Sequence, residues 1–258
     1  MARRVSNNLV GDAFLAVVAL AVFVGALAFQ KGVPAASVVS SQPPLGQAPH
    51  AISRTASNPN ISTVAEAIVP KVAVFDSETA ANPSKTLDNP QPSGAPLVFL
   101  VKQLDNDWVN VYLPVRPNGS MGWIPVNQVK LTQHNFRIVV ETAAHRITVY
   151  KGWQIIDQEP VGIGKAETPT PGGIYYLKEL LQPTNPNGAY GPYAYGLSGF
   201  SNELTDYAGG DGVIGIHGTN DPSGLGKDVS HGCIRMSNAG ITRLAKVLPL
   251  GVPVDIRA

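Results

Sequence analysis

Glycine and proline recur throughout this chain, and their density limits the length of any regular element. The 258 residues include 26 glycines and 22 prolines. Glycine loses more backbone entropy on ordering than other residues, and proline lacks a backbone hydrogen-bond donor. The pattern therefore favours many turns and short strands over long helices. We predict a mainly β chain that folds as one large domain or two modest ones.

An uncharged apolar segment near the amino terminus is the exception to this pattern. Arg3 and Arg4 precede the run AFLAVVALAVFVGALAF at residues 13–29. The run is long enough for a short membrane-spanning helix and slightly longer than the core of a signal peptide. Because positive charges stay on the cytoplasmic side, residues 1–31 are predicted to form a cytoplasmic tip and a single-pass anchor, in preference to a cleaved signal peptide. The rest of the chain is then expected on the extracytoplasmic face of the cell envelope.

The composition changes twice before the carboxy-terminal half. Residues 32–65 are rich in Ser, Pro and Ala and are predicted to be a linker. Residues 66–132 contain short alternating strands such as DWVNVYLP and a turn at Asn118-Gly119. They predict a small barrel of about five strands. A spacer that packs on the next domain and binds nothing is the alternative interpretation.

Residues 133–258 predict a second β-rich domain. A β-meander is expected first, and one helix follows SHGCIRM, with Ser237 as its N-cap and an apolar stripe over residues 241–248. The stretch from Leu180 to Gly212 is rich in Gly, Pro, Asn and Tyr. We predict that it forms one long functional loop, because loops of this length inside a domain are usually functional or disordered and the aromatic residues argue against disorder.

The chain has one cysteine, Cys233, and it lies in the SHGCIRM stretch. Exported proteins usually pair their cysteines, so a lone thiol is either reactive or a buried, inert core residue. His217 and His231 are both candidates for a base that accepts the thiol proton. His231 is two residues from Cys233, whereas His217 reaches the thiol only if the strand GVIGI and the cysteine loop converge. The spacing alone leaves both candidates open.

Neighbouring residues also have two interpretations. Gly218 and Gly232 are either turn glycines or positions where backbone N–H groups turn toward a developing oxyanion. Arg235 either binds a carboxylate in a bidentate pair or braces the loop. Zinc is disfavoured because the spacing of the histidines and the cysteine is unsuitable for a metal site. The net charge of +1 gives no reason to expect nucleic acid.

Two segments before and around the cysteine carry a family resemblance. The stretches HGTNDP and SHGCIRMSN, with TPTPGG and GPYAYGLS upstream, resemble the L,D-transpeptidases that have a YkuD-type catalytic domain. The likeness covers residues 134–258 and implies a mostly β, sandwich-like domain with the cysteine on a loop between its sheets. The upstream GWIPVNQV resembles bacterial Src-homology-3-like domains.

The resemblance also implies roles for individual residues. It implies that Cys233 is the nucleophile, that His217 is the general base and that His231 supports the site. Gly232 and Cys233 would supply oxyanion N–H groups. The other implied substrate-facing positions are Ser230, Arg235, Gly218 and Thr219, and Tyr190, Tyr193 and Tyr195 on a lid from Leu180 to Gly212. Gly224 departs from the family pattern, in which a serine is expected.

The implied reaction is acyl transfer between peptidoglycan stem peptides, and it would need neither a metal nor an organic cofactor. The thiolate would attack the carbonyl that joins the third residue of a tetrapeptide stem to its terminal D-Ala, forming a thioester. An amine of a second stem would then take the acyl group and form a 3→3 cross-link, and water would give carboxypeptidase cleavage. A catalytically silent scaffold that binds the cell wall is the alternative. A sortase is disfavoured because its Thr-Leu-x-Thr-Cys segment and longer His-to-Cys spacing are absent.

Overall fold

The computed structural model describes residues 60–205 and 211–258, which belong to one compact unit that spans residues 57–258. The predicted anchor and nearly all of the predicted linker lie outside the described residues. Within the described ranges, no helix has the length and hydrophobicity of a membrane-spanning segment. The predicted division of the chain into separate domains stays a prediction.

Seven strands form between residues 62 and 134. They are β1 (Ser62–Ala67), β2 (Lys71–Val74), β3 (Lys85–Asp88), β4 (Val98–Asp105), β5 (Trp108–Tyr112), β6 (Met121–Pro125) and β7 (Val129–His134). Five of them make an antiparallel sheet in the order β6–β5–β4–β1–β7, and β2 pairs with β3. A 3-10 turn at Val126–Gln128 connects β6 to β7. We call this part the amino-terminal sheet.

The amino-terminal sheet extends beyond the predicted limits of 66–132. Its strand β1 begins at Ser62, inside the predicted linker, and pairs with both β4 and β7. The alternation in β5 has the predicted effect, because Val109 and Val111 are fully buried while Trp108 is only partly buried. The short STVAEA segment is ambiguous as a sequence, and its strand conformation depends on the two neighbours that flank it.

The rest of the chain forms ten further strands and a helix within the described ranges. They are β8 (Phe136–Glu141), β9 (Arg146–Lys151), β10 (Gln154–Pro160), β11 (Ile163–Gly164), β12 (Gly173–Leu181), β13 (Ala194–Phe200), β14 (Val213–His217), β15 (Asp228–Ser230), β16 (Ile234–Arg235), α1 (Asn238–Val247) and β17 (Pro253–Arg257). Eight strands join in the order β10–β9–β8–β17–β12–β13–β14–β16, and β11 pairs with β15. A 3-10 turn occupies Pro222–Gly224. The mainly β fold class is confirmed.

The stretch from Leu180 to Gly212 is not one loop, and this prediction was wrong. It contains the whole of β13, which pairs with β12 on one side and β14 on the other. The glycines that suggested a loop make room for neighbours instead: a Cβ on Gly199 would collide with the Tyr175 ring, and one on Gly196 with the Glu179 side chain. The sheet partners therefore impose strand conformation on a sequence with loop-like composition.

The helix after the cysteine forms as predicted. The Ser237 side chain accepts a hydrogen bond from the Gly240 N–H at 2.9 Å, which is the expected N-cap contact. The Glu159 carboxylate accepts from both the backbone N–H and the hydroxyl of Ser237. The largest cluster of buried apolar residues in the described ranges lies between Ile138 and Ile256 in the sequence, and we call it the main core. Ile241 and Leu244 are buried in it, so the apolar stripe fixes α1 against the sheet.

A small apolar cluster joins the amino-terminal sheet to the eight-stranded sheet that contains β12. Tyr176 of β12 is fully buried and packs with Val64 of β1 and with Val98 and Leu100 of β4. Residues from both sheets are therefore removed from water together, so we call this cluster the apolar seam. Because burial of an aromatic side chain is a large stabilising contribution, the seam should hold the two sheets in a fixed relation.

Removal of the central side chain of the seam should weaken the whole described unit. We expect Tyr176→Ala to lower the free energy of unfolding by about 3–5 kcal/mol, as for other large aromatic truncations in a core. The measurement is urea denaturation followed by tryptophan fluorescence and circular dichroism. Trp153→Ala is the matched control, since Trp153 is 78% exposed and should change stability by less than about 0.5 kcal/mol. Equal stability of the two variants would contradict the role of the seam.

Candidate active site

The parallel pairing of β14 with β16 determines which side chains meet at the candidate site. Ile216 is paired with Ile234, and His217 is paired with Arg235. Both isoleucines are fully buried in the main core. Because alternate residues of a strand point to opposite faces, His217 and Arg235 lie on the face away from these isoleucines.

The same register places the cysteine beside the histidine. Cys233 precedes β16 directly and therefore falls next to Gly215, two residues before His217. Alternation puts Cys233 and His217 on one face of the strand pair. Gly215 carries no side chain between them, and its backbone N–H makes a hydrogen bond to the thiol. The convergence that the sequence left open is thus a consequence of strand pairing.

The turn that carries Cys233 is braced by Ser230. The buried Ser230 hydroxyl donates to the Cys233 carbonyl at 2.6 Å and accepts from the Gly232 N–H at 3.1 Å. Gly232 has a φ of +115°, a region that favours glycine. The predicted oxyanion role of the Gly232 N–H is not supported, because this donor is already engaged by Ser230. Ser230 and Gly232 therefore shape the turn.

The imidazole of His217 is buried and held in one tautomer. Its Nδ1 lies 2.6 Å from the Gly218 carbonyl oxygen, which can only accept a hydrogen bond. The hydrogen is therefore on Nδ1, and Nε2 is left as an acceptor. Burial lowers the pKa of His217 to about 4; the bond to Gly218 opposes this shift, and the charge of Arg235 adds to it. His217 is therefore neutral at neutral pH.

The thiol is also kept in its neutral form. Burial raises the pKa of Cys233 above its ordinary value, and this effect outweighs the opposing hydrogen bond from Gly215 and the charge of Arg235. Because the low pKa of His217 disfavours the imidazolium as well, the resting site holds a thiol and a neutral imidazole. It does not hold a preformed ion pair of thiolate and imidazolium.

Six of the predicted site residues line one cleft with a volume of about 120 Å³. They are Tyr190, His217, Ser230, His231, Cys233 and Arg235. The Tyr190 ring lies against the His217 ring, with 4.7 Å between the ring centroids. His231 is exposed at the same cleft. Over residues 60–205 and 211–258, no three or more His, Cys, Asp and Glu side chains are grouped so that they could bind a metal ion.

The other predicted site residues lie elsewhere. Tyr195 is almost fully buried in the core, and its hydroxyl donates to the carbonyls of Leu244 and Leu248 at the end of α1. The prediction that Tyr195 contacts substrate is therefore wrong: β13 directs this side chain into the core. Tyr193 is partly buried and packs against the same core.

Gly218 and Thr219 support His217 and do not line the cleft. The Thr219 side chain is buried, and its hydroxyl donates to the Asp221 carbonyl at 3.3 Å. Its N–H donates to the Asn238 side-chain oxygen at 2.9 Å. A Cβ on Gly218 would collide with the same oxygen. Asn238 of α1 therefore fixes the segment after His217, and no pattern in the sequence identified it.

The sequence analysis also missed the rest of the cleft lining. The missed residues are Ala189, Ser201, Leu204, Gly212, Val213 and Ile214. Most of them fall at or near the ends of β13 and β14. Small and apolar residues carry no chemical signature that would mark them as part of a site. The only sequence signal for these positions was that they lie in or next to the predicted long loop.

The carboxy-terminal part of the chain matches a known family. Residues 135–256 match the family model of YkuD, the L,D-transpeptidase catalytic domain. We call residues 135–256 the YkuD domain, after the family model that they match. Within this YkuD domain lie all the described strands from β8 to β16 and the cleft with Cys233 and His217.

Individual relatives show the same similarity. The chain is 36% identical over 121 residues to YkuD of Bacillus licheniformis, which is named as an L,D-transpeptidase; the match covers 47% of this chain and 65% of the relative. It is 32% identical to ErfK/SrfK of Salmonella typhimurium, also named as an L,D-transpeptidase, over 58% of this chain and 53% of the relative. The chain therefore spans less than two thirds of these curated relatives. An L,D-transpeptidase structure from Mycobacterium smegmatis is similar at 16% identity, with a TM-score of 0.40, over 72% of this chain and 99% of that one.

The neutral resting pair in the YkuD domain predicts a simple pH dependence of thiol reactivity. The rate of Cys233 alkylation by iodoacetamide should rise about tenfold per pH unit between about pH 6 and about pH 8.5, because only the thiolate reacts. Mass spectrometry of the alkylated protein measures the rate. His217→Ala should keep the same slope. A pH-independent plateau near neutrality that His217→Ala abolishes would show a preformed ion pair instead.

The position of Tyr195 predicts a loss of stability without a change at the cleft. Tyr195→Phe removes the hydroxyl that donates to the carbonyls of Leu244 and Leu248 at the carboxyl end of α1, so the free energy of unfolding should fall by about 1–3 kcal/mol. The rate of Cys233 alkylation should be unchanged, because Tyr195 does not line the cleft. Thermal unfolding and alkylation are measured on the same preparation. A changed alkylation rate at unchanged stability would return Tyr195 to the active site.

Proposed function

We propose that this chain is a cysteine-dependent L,D-transpeptidase that acts on peptidoglycan stem peptides. One observation supports this most strongly: Cys233 and a neutral, buried His217 share one face of β14 and β16 at a cleft in a YkuD domain. The geometry suits a nucleophile and a base that act only when a substrate carbonyl is present.

The first half of the reaction forms a thioester. As the Cys233 sulfur attacks the carbonyl between the third stem residue and the terminal D-Ala, the thiol proton passes to Nε2 of His217. Burial makes the resulting imidazolium a strong acid, so it readily returns the proton to the departing amine. The carbon–nitrogen bond breaks, D-Ala leaves, and the acyl group stays on sulfur. The Cys233 N–H is our candidate for the oxyanion donor.

The second half of the reaction releases the acyl group. An amine from the third residue of another stem attacks the thioester, and Nε2 of His217 accepts a proton from that amine. The carbon–sulfur bond breaks, the proton returns to the sulfur, and a 3→3 cross-link remains. Water in place of the amine would give an L,D-carboxypeptidase product.

Arg235 is our candidate for binding the substrate carboxylate. It lines the cleft, and its Nε is buried without a hydrogen-bond partner among the described residues. A carboxylate of the donor stem would supply this partner. Such a pair would also offset the positive charge that lowers the pKa of His217. Substrate binding would therefore make His217 a stronger base.

The proposed substrate matches the predicted location of the chain. Peptidoglycan lies outside the cytoplasmic membrane, so the proposal includes a membrane-anchored protein with its YkuD domain on the extracytoplasmic face. The anchor itself remains a prediction from residues 1–31. A silent scaffold that binds peptidoglycan is the competing function, and turnover separates the two.

Intact-mass analysis of the full-length chain in detergent with a disaccharide tetrapeptide tests this proposal. The wild type should release D-Ala and carry a covalent adduct, and Cys233→Ala should do neither. His217→Ala should acylate about 10²–10⁴-fold more slowly, the usual range for loss of a general base. Trp153→Ala, an exposed substitution outside the cleft, should match the wild type. A wild type that binds the substrate but behaves like Cys233→Ala would identify a scaffold.

A further inference from the structure

The turn between β5 and β6 reaches from the amino-terminal sheet to the segments that follow β13 and precede β14. The Arg116 guanidinium donates to three backbone carbonyls there, those of Ser201 at 2.9 Å, Leu204 at 3.2 Å and Asp211 at 2.8 Å. A guanidinium presents five donors in a fixed plane and suits such a multiple contact. One side chain of the amino-terminal sheet thus holds two separate segments of the YkuD domain together.

Asn118 of the same turn adds a paired contact at the end of β13. Its Oδ1 accepts from the Phe200 N–H at 2.9 Å, and its Nδ2 donates to the Phe200 carbonyl at 2.8 Å. The side-chain amide thereby satisfies both backbone groups of Phe200, as a neighbouring strand would. The Arg116 guanidinium also lies over the Phe200 ring, 4.9 Å from its centroid.

The segments held by the turn form part of the cleft lining. Ser201, Leu204 and Gly212 line the same cleft as Cys233. Ser201 donates its N–H to the Gly212 carbonyl at 2.8 Å, and its Oγ accepts from the Leu204 N–H at 3.1 Å. We call residues 200–204 and 211–213 the cleft wall. Displacement of any of its carbonyls would therefore disturb a connected set of backbone contacts.

The turn itself has a rigid support. The apolar seam around Tyr176 attaches the amino-terminal sheet to β12, the neighbour of β13. The buried Gln91 side chain adds a hydrogen bond to the Lys178 carbonyl of β12 at 3.1 Å. The amino-terminal sheet, which carries Arg116 and Asn118, is therefore attached to the YkuD sheet independently of the cleft wall. From this fixed support, Arg116 and Asn118 can hold the cleft wall in position.

We propose that Arg116 and Asn118 are positioning residues of the active site, and that the amino-terminal sheet completes the substrate cleft. This inference rests on the proposed transpeptidase function for its kinetic consequence only. Neither residue lines the cleft or contacts Cys233 or His217. Their removal should loosen the surface that receives the stem peptide and leave the chemistry of the thiol unchanged.

Arg116→Ala in the full-length chain tests the proposal, with Arg137→Ala as the matched control. Arg137 also stacks on an aromatic ring, 3.6 Å from the Tyr150 centroid, but lies outside the cleft lining. Arg116→Ala should raise KM for the tetrapeptide donor by about tenfold, with a smaller change in kcat, because misplaced binding surfaces weaken productive positioning. Arg116→Lys should restore little of this loss, since one ammonium group replaces a planar fork. Asn118→Ala should act in the same direction more weakly.

Two further measurements do not depend on turnover. Hydrogen exchange at the backbone amides of the cleft wall should accelerate in Arg116→Ala and stay unchanged in Arg137→Ala. The rate of Cys233 alkylation by iodoacetamide should stay unchanged in both variants. If the wild type fails to release D-Ala, the proposed function fails while hydrogen exchange still tests the positioning role. If Arg116→Ala does not fold, Asn118→Ala and Arg116→Lys carry the same comparison.

Two results would overturn the proposal. The first is unchanged hydrogen exchange of the cleft wall in Arg116→Ala. The second is unchanged KM in an active protein whose cleft wall exchanges faster. If unchanged exchange and KM were accompanied by weaker binding of Arg116→Ala to purified peptidoglycan, the turn would be a separate peptidoglycan-binding surface.

Discussion

The parallel pairing of β14 with β16 is the interaction on which the candidate site depends. It sets two buried isoleucines into the core on one face and places Cys233 and His217 on the other. The apolar face fixes the register, because a slip of one residue would expose both isoleucines and bury the polar pair. The thiol and the imidazole therefore meet as a consequence of core packing, although they are 16 positions apart in the sequence.

Burial gives this site its chemical character. The surroundings that stabilise the strands also disfavour charge, so burial raises the pKa of Cys233 and lowers that of His217. In a neutral pair, the thiol reacts slowly with electrophiles, because the thiolate is the nucleophilic form. Nε2 of His217 remains able to accept a proton. Under the proposed function, the reaction begins only when substrate binds. The substrate carboxylate pairs with Arg235, and the Cys233 sulfur attacks the substrate carbonyl carbon.

The amino-terminal sheet has a more integrated role than its sequence indicates. Its composition and turns predict a small β unit, and its strand pattern is found in the structure. Its junction with the YkuD domain depends on Tyr176, Gln91, Arg116 and Asn118, whose partners across the junction lie 76 to 112 residues away in the sequence. Residue patterns of period two report which side of a strand is buried, but they do not report what covers it.

The sequence by itself determined the mainly β class and the helix capped by Ser237, and it identified Cys233, His217 and His231 as candidate site residues. These depend on local signals: turn residues, an N-cap with an apolar stripe, and a distinctive motif. Only the tertiary structure decided that β13 runs through the predicted loop, that Tyr195 belongs to the core and that the Gly232 N–H is bonded to Ser230. Each of these outcomes depends on partners distant in the chain, and a sheet assigns such partners through strand pairing that local composition does not encode.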